Sequence, residues 1–391
     1  MSARTTPPNP APARAPRDAR IEALRLVAIA GIAVFHTFQP WFAAATDGSW
    51  DAGAPTLWAL GMISLLGAFG NHVFFMVSGL FLVPGATAAA RRKTGWRSQA
   101  TRTARRALTI LASVALYAAL ALATSAWVTP VDGVGLDQAG WLLGGLEFIW
   151  VYLALVVATP VMGRVWARMR RPEALVGALA VAVFAVNAYI AFVSPGEAER
   201  GLLEWRKLMS AVSYLVAYLV GGALGARRTR VLAEAHGSAA VAPRIGLLGS
   251  RCPLAAALAV SAGAEAVTAC SHNLGLLAAL SFKSTSALSF ALAVGAVCAV
   301  AAPLRREGQP GPSARAVRWL TPAILGYYIA QSLFSGLWRP AFESVCAGAL
   351  DAGGPIVLLA TGIAASVALL VVALVADRLV RVNLLRQVHL S

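Results

Sequence analysis

The feature that most constrains this chain is a succession of apolar runs, each about as long as a membrane is thick. A helix needs roughly 20 apolar residues to cross the hydrocarbon. That ruler predicts ten spans, at 24–45, 57–83, 107–128, 141–163, 174–193, 208–226, 252–270, 284–303, 319–338 and 355–376. Composition points the same way: 58% of residues are hydrophobic, 13% are charged, and mean hydropathy is +0.69. A soluble domain carries about 25% charged residues, so this chain has too few to coat a water-exposed surface. An ordinary cytosolic enzyme, a disordered protein and a disulfide scaffold are excluded. The expected fold is all-α, a polytopic bundle of about ten transmembrane helices.

The formal net charge of +16 is carried almost wholly by arginine, in short clusters between the apolar runs. That is the footprint of membrane topology rather than of a nucleic-acid surface. With the N-terminus inside, all of the 33 basic residues except Arg200, Arg206, Lys207, Lys283 and Arg339 fall in cytoplasmic segments. This alternation predicts both termini in the cytoplasm and a multi-pass protein of the cell membrane. Residues 1–20 hold five prolines and no apolar run, so a disordered cytoplasmic tail is expected there. The first apolar run is too long for a signal-peptide core and is expected to stay as an anchor. A single membrane domain is expected over 21–391, with no fused extracytoplasmic domain. Cys252, Cys270, Cys298 and Cys346 form no CxxC and have no histidine at zinc-ligand spacing, so no metal site is read.

Ionisable groups within spans cost a few kcal/mol each to insert and need explaining. They are Arg25 and His36 on the first predicted helix, His72 on the second, Glu147 on the fourth and Glu265 on the seventh. Eleven residues separate Arg25 from His36, or about 1,100° of helix, so both side chains leave one face. The axial offset is roughly 16 Å, with Arg25 at the cytoplasmic edge, His36 near mid-membrane and Gln39 one turn beyond. Two readings fit this pair. It is a ruler for a ligand with an anionic head and a long arm, or it is a topology-setting arginine and a helix-packing histidine. His72 is expected at the depth of His36, while Asn71 and Ser78, seven apart, share a face and add hydrogen-bonding groups; close helix packing at Gly70, Ser78 and Gly79 is the other reading.

From Arg91 to Arg106 the chain carries seven basic residues, suited to anionic headgroups or to a polyphosphate ligand. There is no GxxxxGK[ST], GxSxG or HExxH, so P-loop, serine-hydrolase and zincin chemistry have no support. Other segments carry a resemblance. Arg25-x10-His36 within IEALRLVAIAGIAVFH, the block GNHVFFMVSGLFLV, Arg102-x-x-Arg105, Phe148 with Pro160, and GYYIAQSLF near residue 330 together resemble the integral-membrane acyltransferase 3 family. Glu147 stands where an aromatic is common in that family, and Gln331 where a histidine is common.

The resemblance implies a membrane enzyme that transfers an acyl group of the acetyl type from cytoplasmic acyl-CoA to a hydroxyl. The acceptor would be a glycan, a lipid-linked sugar or another cell-envelope or small molecule, as in O-acetylation of polysaccharides. Acyl-CoA is then a donor substrate, and no permanently bound cofactor is expected. His36 is implied as the catalytic histidine, with His72 as a second catalytic candidate, and Arg25, Arg102 and Arg105 bind the donor. Direct attack by the acceptor and a covalent acyl-histidine both fit. The alternative is a secondary transporter or exporter using the histidines as a proton relay. It predicts two related halves, which the sequence does not display.

Overall fold

The computed structural model describes residues 18–92, 95–135, 140–193, 202–237, 247–281, 285–302 and 311–388. Residues 1–17 of the expected tail, and Lys93, Arg200, Arg244, Lys283, Arg305 and Arg306 of the charge pattern, lie outside the described residues. The described chain is helical, with no strand among those residues.

Helix α1 (Ala19–Thr46) starts on Asp18, whose carboxylate accepts the Arg20 amide at 3.1 Å and so caps one of the unpaired first-turn N–H groups. It is followed by α2 (Ala54–Ala90), which opens on Pro55, and by α3 (Gly95–Trp127). A short α4 (Gly140–Gly145) leads into α5 (Glu147–Arg168), and α6 (Pro172–Ala188) ends in a π-helical turn over Tyr189–Val193. Then come α7 (Leu202–Gly237), α8 (Cys252–Cys270), the two-turn α9 (Leu274–Leu280) and α10 (Ala287–Val300). The remainder is α11 (Pro312–Leu320), a 3-10 turn (Thr321–Ala323), α12 (Ile324–Leu333), α13 (Ser335–Leu379) and α14 (Arg381–Gln387).

Eight helices among the described residues are long and apolar enough to cross a membrane: α1, α2, α3, α5, α6 with its π turn, α7, α8, and α13 with α14. The two further spans predicted from hydropathy do not form single long helices. The run at 284–303 yields α10, only 14 residues long. The run at 319–338 is divided among the end of α11, the 3-10 turn, α12 and the start of α13. Pro322 sits in that turn, where its missing N–H and its ring end a continuous helix. A hydropathy window sees only that residues are apolar, so it joins what proline divides. Helix α13 is itself two segments. At Gly353–Gly354 the backbone leaves the helical region, with Gly354 at φ 71° and ψ −167°, a conformation that favours glycine. Pro355 opens the second segment, where the predicted span at 355–376 begins.

Helix α2 is central and packs against α1, α3, α5, α7, α8 and α10. Its closest approach is to α7. A Cβ added at Gly79 would meet the Tyr218 backbone, and one added at Gly221 would lie 2.6 Å from the Met76 carbonyl carbon. Lipid supplies no hydrophobic drive for helix pairing, so contact of this kind depends on small residues and dense packing.

One end of the bundle gathers the basic segments. Arg228 on α7 bonds Asp18 at 3.1 Å, Arg20 donates to the Ala302 carbonyl at 2.5 Å, Arg230 pairs with Glu173, and Arg164 lies 3.7 Å over the Trp96 ring. Near this end Arg381 clasps Asp377 at 2.6 and 2.8 Å, and Tyr117 adds a hydroxyl donor at 2.6 Å. The same guanidinium reaches Ser113 Oγ at 3.1 Å and the Pro322 carbonyl at 2.9 Å. A buried ion pair holds only if its remaining donors and acceptors are matched, and here they tie α3, the 3-10 turn, α13 and α14 together. The opposite end carries the edge-to-face pair Trp41–Trp50 and the loop at Asp132, against which Gly336 packs.

Candidate active site

A large opening with several polar lining residues lies toward the end opposite the arginine clusters. It is a cavity of about 360 Å³ bounded by α1, α2, the α4–α5 junction, the start of α7, α12 and the start of α13. Helix α1 contributes Ile32, Phe35, His36 and Gln39, residues at the 3–4 spacing of one face. His36 is half-buried, and its Nδ1 is enclosed with no hydrogen-bond partner among the described residues.

Charge is supplied around the histidine by three elements that begin at this end. Glu147 stands in the first turn of α5, Lys207 near the start of α7 and Arg339 near the start of α13. Ser210 and Ser332 add hydroxyls. The lining is therefore polar and of mixed sign, with two cations to one carboxylate.

The inner wall is aromatic. Tyr328 of α12 stacks on Phe148 of α5, with centroids 4.5 Å apart. Tyr328 donates to Asn71 Oδ1 at 3.1 Å, and Asn71 Nδ2 donates to the Tyr214 hydroxyl at 3.1 Å. One amide thus fixes two tyrosines from two other helices. Phe74 and Phe75 pack behind them, 5.5 Å from Tyr328 and 4.6 Å from Tyr214.

Arg25 lies on the other side of this wall. With Ala28, Ile29, Gly70, Phe74, Ile324 and Tyr328 it borders a second hollow, one too small to hold a water molecule. Tyr328 borders both spaces. Arg25 and His36 do share a face of α1, as their spacing predicts. Arg25 is also held by Glu22 at 3.1 Å.

The other predicted residues are placed apart from the cavity. His72 is fully buried and meets Phe290, Phe184 and Tyr214 edge-on at 5.4, 6.1 and 6.2 Å. Among the described contacts, its neighbour Tyr214 lines the cavity. Arg102 and Arg105 are exposed near the start of α3, where Arg102 Nε donates to the Ser98 carbonyl at 3.2 Å. Glu265 is fully buried against Gly61, and both its oxygens lack a hydrogen-bond partner among the described residues. Gln331 is buried beside the site, its carbonyl accepting Trp338 Nε1 at 2.9 Å. No group of three or more metal-ligating side chains occurs among the described residues.

Sequence reasoning missed Lys207, Arg339 and Tyr214 as cavity residues. Two of them carried a signal: Lys207 and Arg339 are exceptions to the cytoplasmic placement of basic charge. A cation that breaks the topology pattern needs another reason to be where it is.

No curated protein and no solved structure matches the chain. The exporter reading finds no support in any of these observations. A family model described as an acyltransferase domain matches residues 18–376. With that match over a bundle of long apolar helices, the chain belongs to the acyltransferase 3 family: it is a multi-pass integral membrane enzyme that moves an acyl group, other than an aminoacyl group, from a donor to an acceptor.

Proposed function

We propose that this enzyme takes an acetyl-type group from acyl-CoA and delivers it to a hydroxyl of a glycan or other envelope or small-molecule acceptor. His36 acts as general base. The observation that carries this reading is the placement of His36, its enclosed Nδ1 unpartnered, in a polar cavity able to admit a hydroxyl-bearing ligand.

In this reading the neutral imidazole removes the hydroxyl proton as the oxygen attacks the thioester carbonyl. The tetrahedral intermediate collapses, the C–S bond breaks, and the leaving thiolate takes the proton back from the imidazolium. Arg339 and Lys207 stand where developing negative charge can be offset. His72 acts as a positioning residue, through its ring contact with Tyr214. The donor approaches from the basic end, its phosphates held by Arg102 and Arg105 and its arm directed along the face that runs from Arg25 to His36. The chain crosses the membrane ten times with both ends in the cytoplasm, α10 and α11–α12 supplying the two short crossings. α1 already includes Ala19 and Arg20, so the one catalytic domain starts before residue 21.

The test uses purified protein in sealed vesicles, acetyl-labelled CoA on one side and a panel of hydroxylated acceptors on the other. Label on an acceptor, with release of one CoA per product, is expected. Release of CoA that no hydroxyl acceptor changes, with no labelled product, would overturn the reading.

A further inference from the structure

At the basic end, away from the histidine, the ends of α2, α5 and α7 and the start of α6 enclose a cleft of about 580 Å³. Arg91, Arg170, Arg171 and Arg230 line it. Arg230 is paired with Glu173, whereas Arg91, Arg170 and Arg171 pair with no carboxylate among the described residues. Four guanidinium groups around one carboxylate leave a net positive cleft, suited to a phosphate that accepts forked N–H donors.

The cleft does not end in water. Trp166 and Met169 also line a second hollow of about 280 Å³ between α5, α6 and α7. Its other walls are apolar, Val161, Val165, Leu175, Leu179, Leu215 and Leu219 among them. Val161, Val165, Leu175 and Leu179 are exposed on the outside of the bundle, so this groove faces the hydrocarbon surrounding the protein. An arginine cleft continuous with an apolar, lipid-facing groove has the two-part chemistry of one ligand class, an anionic head joined to a hydrocarbon tail.

We propose that α2, α5, α6 and α7 form a binding site for one anionic phospholipid. Its phosphate sits among Arg91, Arg170 and Arg171, and an acyl chain lies in the groove from Met169 toward Leu179. A zwitterionic lipid carries its own cation into an already positive cleft and is disfavoured. Basic pockets between helices on the cytoplasmic side are a known physical setting for such headgroups. The site is separate from the His36 cavity and does not depend on the proposed reaction.

The test is native mass spectrometry of the delipidated full-length protein, titrated with phosphatidylglycerol and with phosphatidylcholine of the same chains. One phosphatidylglycerol should bind at least tenfold more tightly than phosphatidylcholine. Arg170→Gln with Arg171→Gln should reduce that preference by roughly tenfold or more, while Arg386→Gln, an exposed arginine on α14, leaves it intact. Leu179→Trp, which fills the groove without changing charge, should weaken phosphatidylglycerol independently. Equal binding of the two lipids would overturn the site, as would retention by the double arginine variant. Displacement of phosphatidylglycerol by acyl-CoA, one for one, would overturn it too and mark the cleft as a donor site instead. Because binding is read without turnover, failure here leaves the acyl-transfer reading untouched.

Discussion

The ring of Tyr328 lies flat on that of Phe148, with planes 7° from parallel and centroids 4.5 Å apart. The Tyr328 hydroxyl adds a 3.1 Å bond to Asn71. α12, α5 and α2 therefore meet at one point, between the closed hollow at Arg25 and the open cavity at His36. In the proposed reaction, a donor arm from the basic end would meet this wall before the histidine. Tyr328→Phe keeps the stack and loses one hydrogen bond, so stability should fall by about 1 kcal/mol. Tyr328→Ala removes the ring, should cost about 3–5 kcal/mol, and opens a path between the two spaces. We expect Tyr328→Ala to release CoA from acyl-CoA without any acceptor, faster than the parent does. Thiol release in acceptor-free buffer, with thermal unfolding in detergent alongside, checks both effects.

The helices were largely legible because crossing a membrane demands an apolar length that hydropathy measures directly. α8 occupies Cys252–Cys270, the predicted bounds, since charge and turn residues mark both ends of the run. Pro322 was visible in the sequence but hidden inside an apolar average, and it divides the predicted span at 319–338. The site divides in the same way. His36 could be read from one helix, because its depth and its face follow from spacing. His72 could be given a depth but not a direction. Successive helical residues point about 100° apart, so with Asn71 turned to Tyr328 and Tyr214, His72 turns toward Phe184 and Phe290. Lys207 and Arg339 line the cavity of His36 because the starts of α7 and α13 border it together with α1, a relation between distant segments that no local pattern encodes.

Donor binding makes a separate prediction. Arg102 and Arg105 are exposed near the start of α3. Arg102→Ala and Arg105→Ala should each raise the apparent KM for acyl-CoA with little change in kcat, the pattern of lost binding shared by ground and transition states. Added salt should weaken the donor in the parent and do so less in the variants, because exposed phosphate contacts are screened. An unchanged KM with reduced membrane insertion would instead assign the pair to headgroup anchoring.

The α2–α7 contact predicts a sharp contrast between glycines. A methyl group at 221 meets the Met76 backbone, which cannot rotate away as a side chain would. Gly221→Ala should therefore force the helices apart and sharply reduce the yield of monodisperse protein in detergent. Gly263→Ala on α8 faces open space and should be neutral or stabilising, by up to about 1 kcal/mol, because alanine restricts the unfolded chain more than glycine does. Size-exclusion profiles after stepwise heating compare the two. Equal profiles would show that α2 and α7 do not pack this closely in the membrane.

His36 carries the most demanding prediction. It combines an enclosed Nδ1 that no described side chain satisfies with a place on the wall of the polar cavity. His36→Ala removes the ring; His36→Gln keeps hydrogen bonding and much of the bulk but cannot take up a proton near neutral pH. A packing histidine would tolerate glutamine, whereas a general base would not. Loss of a general base typically costs 10²–10⁴-fold in rate, about 3–5 kcal/mol of transition-state stabilisation. Both variants should therefore lose acyl transfer by at least a hundredfold, with the amount and thermal stability of folded protein unchanged for His36→Gln. The measurement is labelled product per folded enzyme, alongside Asn71→Ala, which touches the cavity but no proposed proton path. Should His36→Gln keep activity within a few-fold of the parent, proton removal by this imidazole fails as the mechanism. The base would then have to come from Glu147, the carboxylate on the same cavity wall.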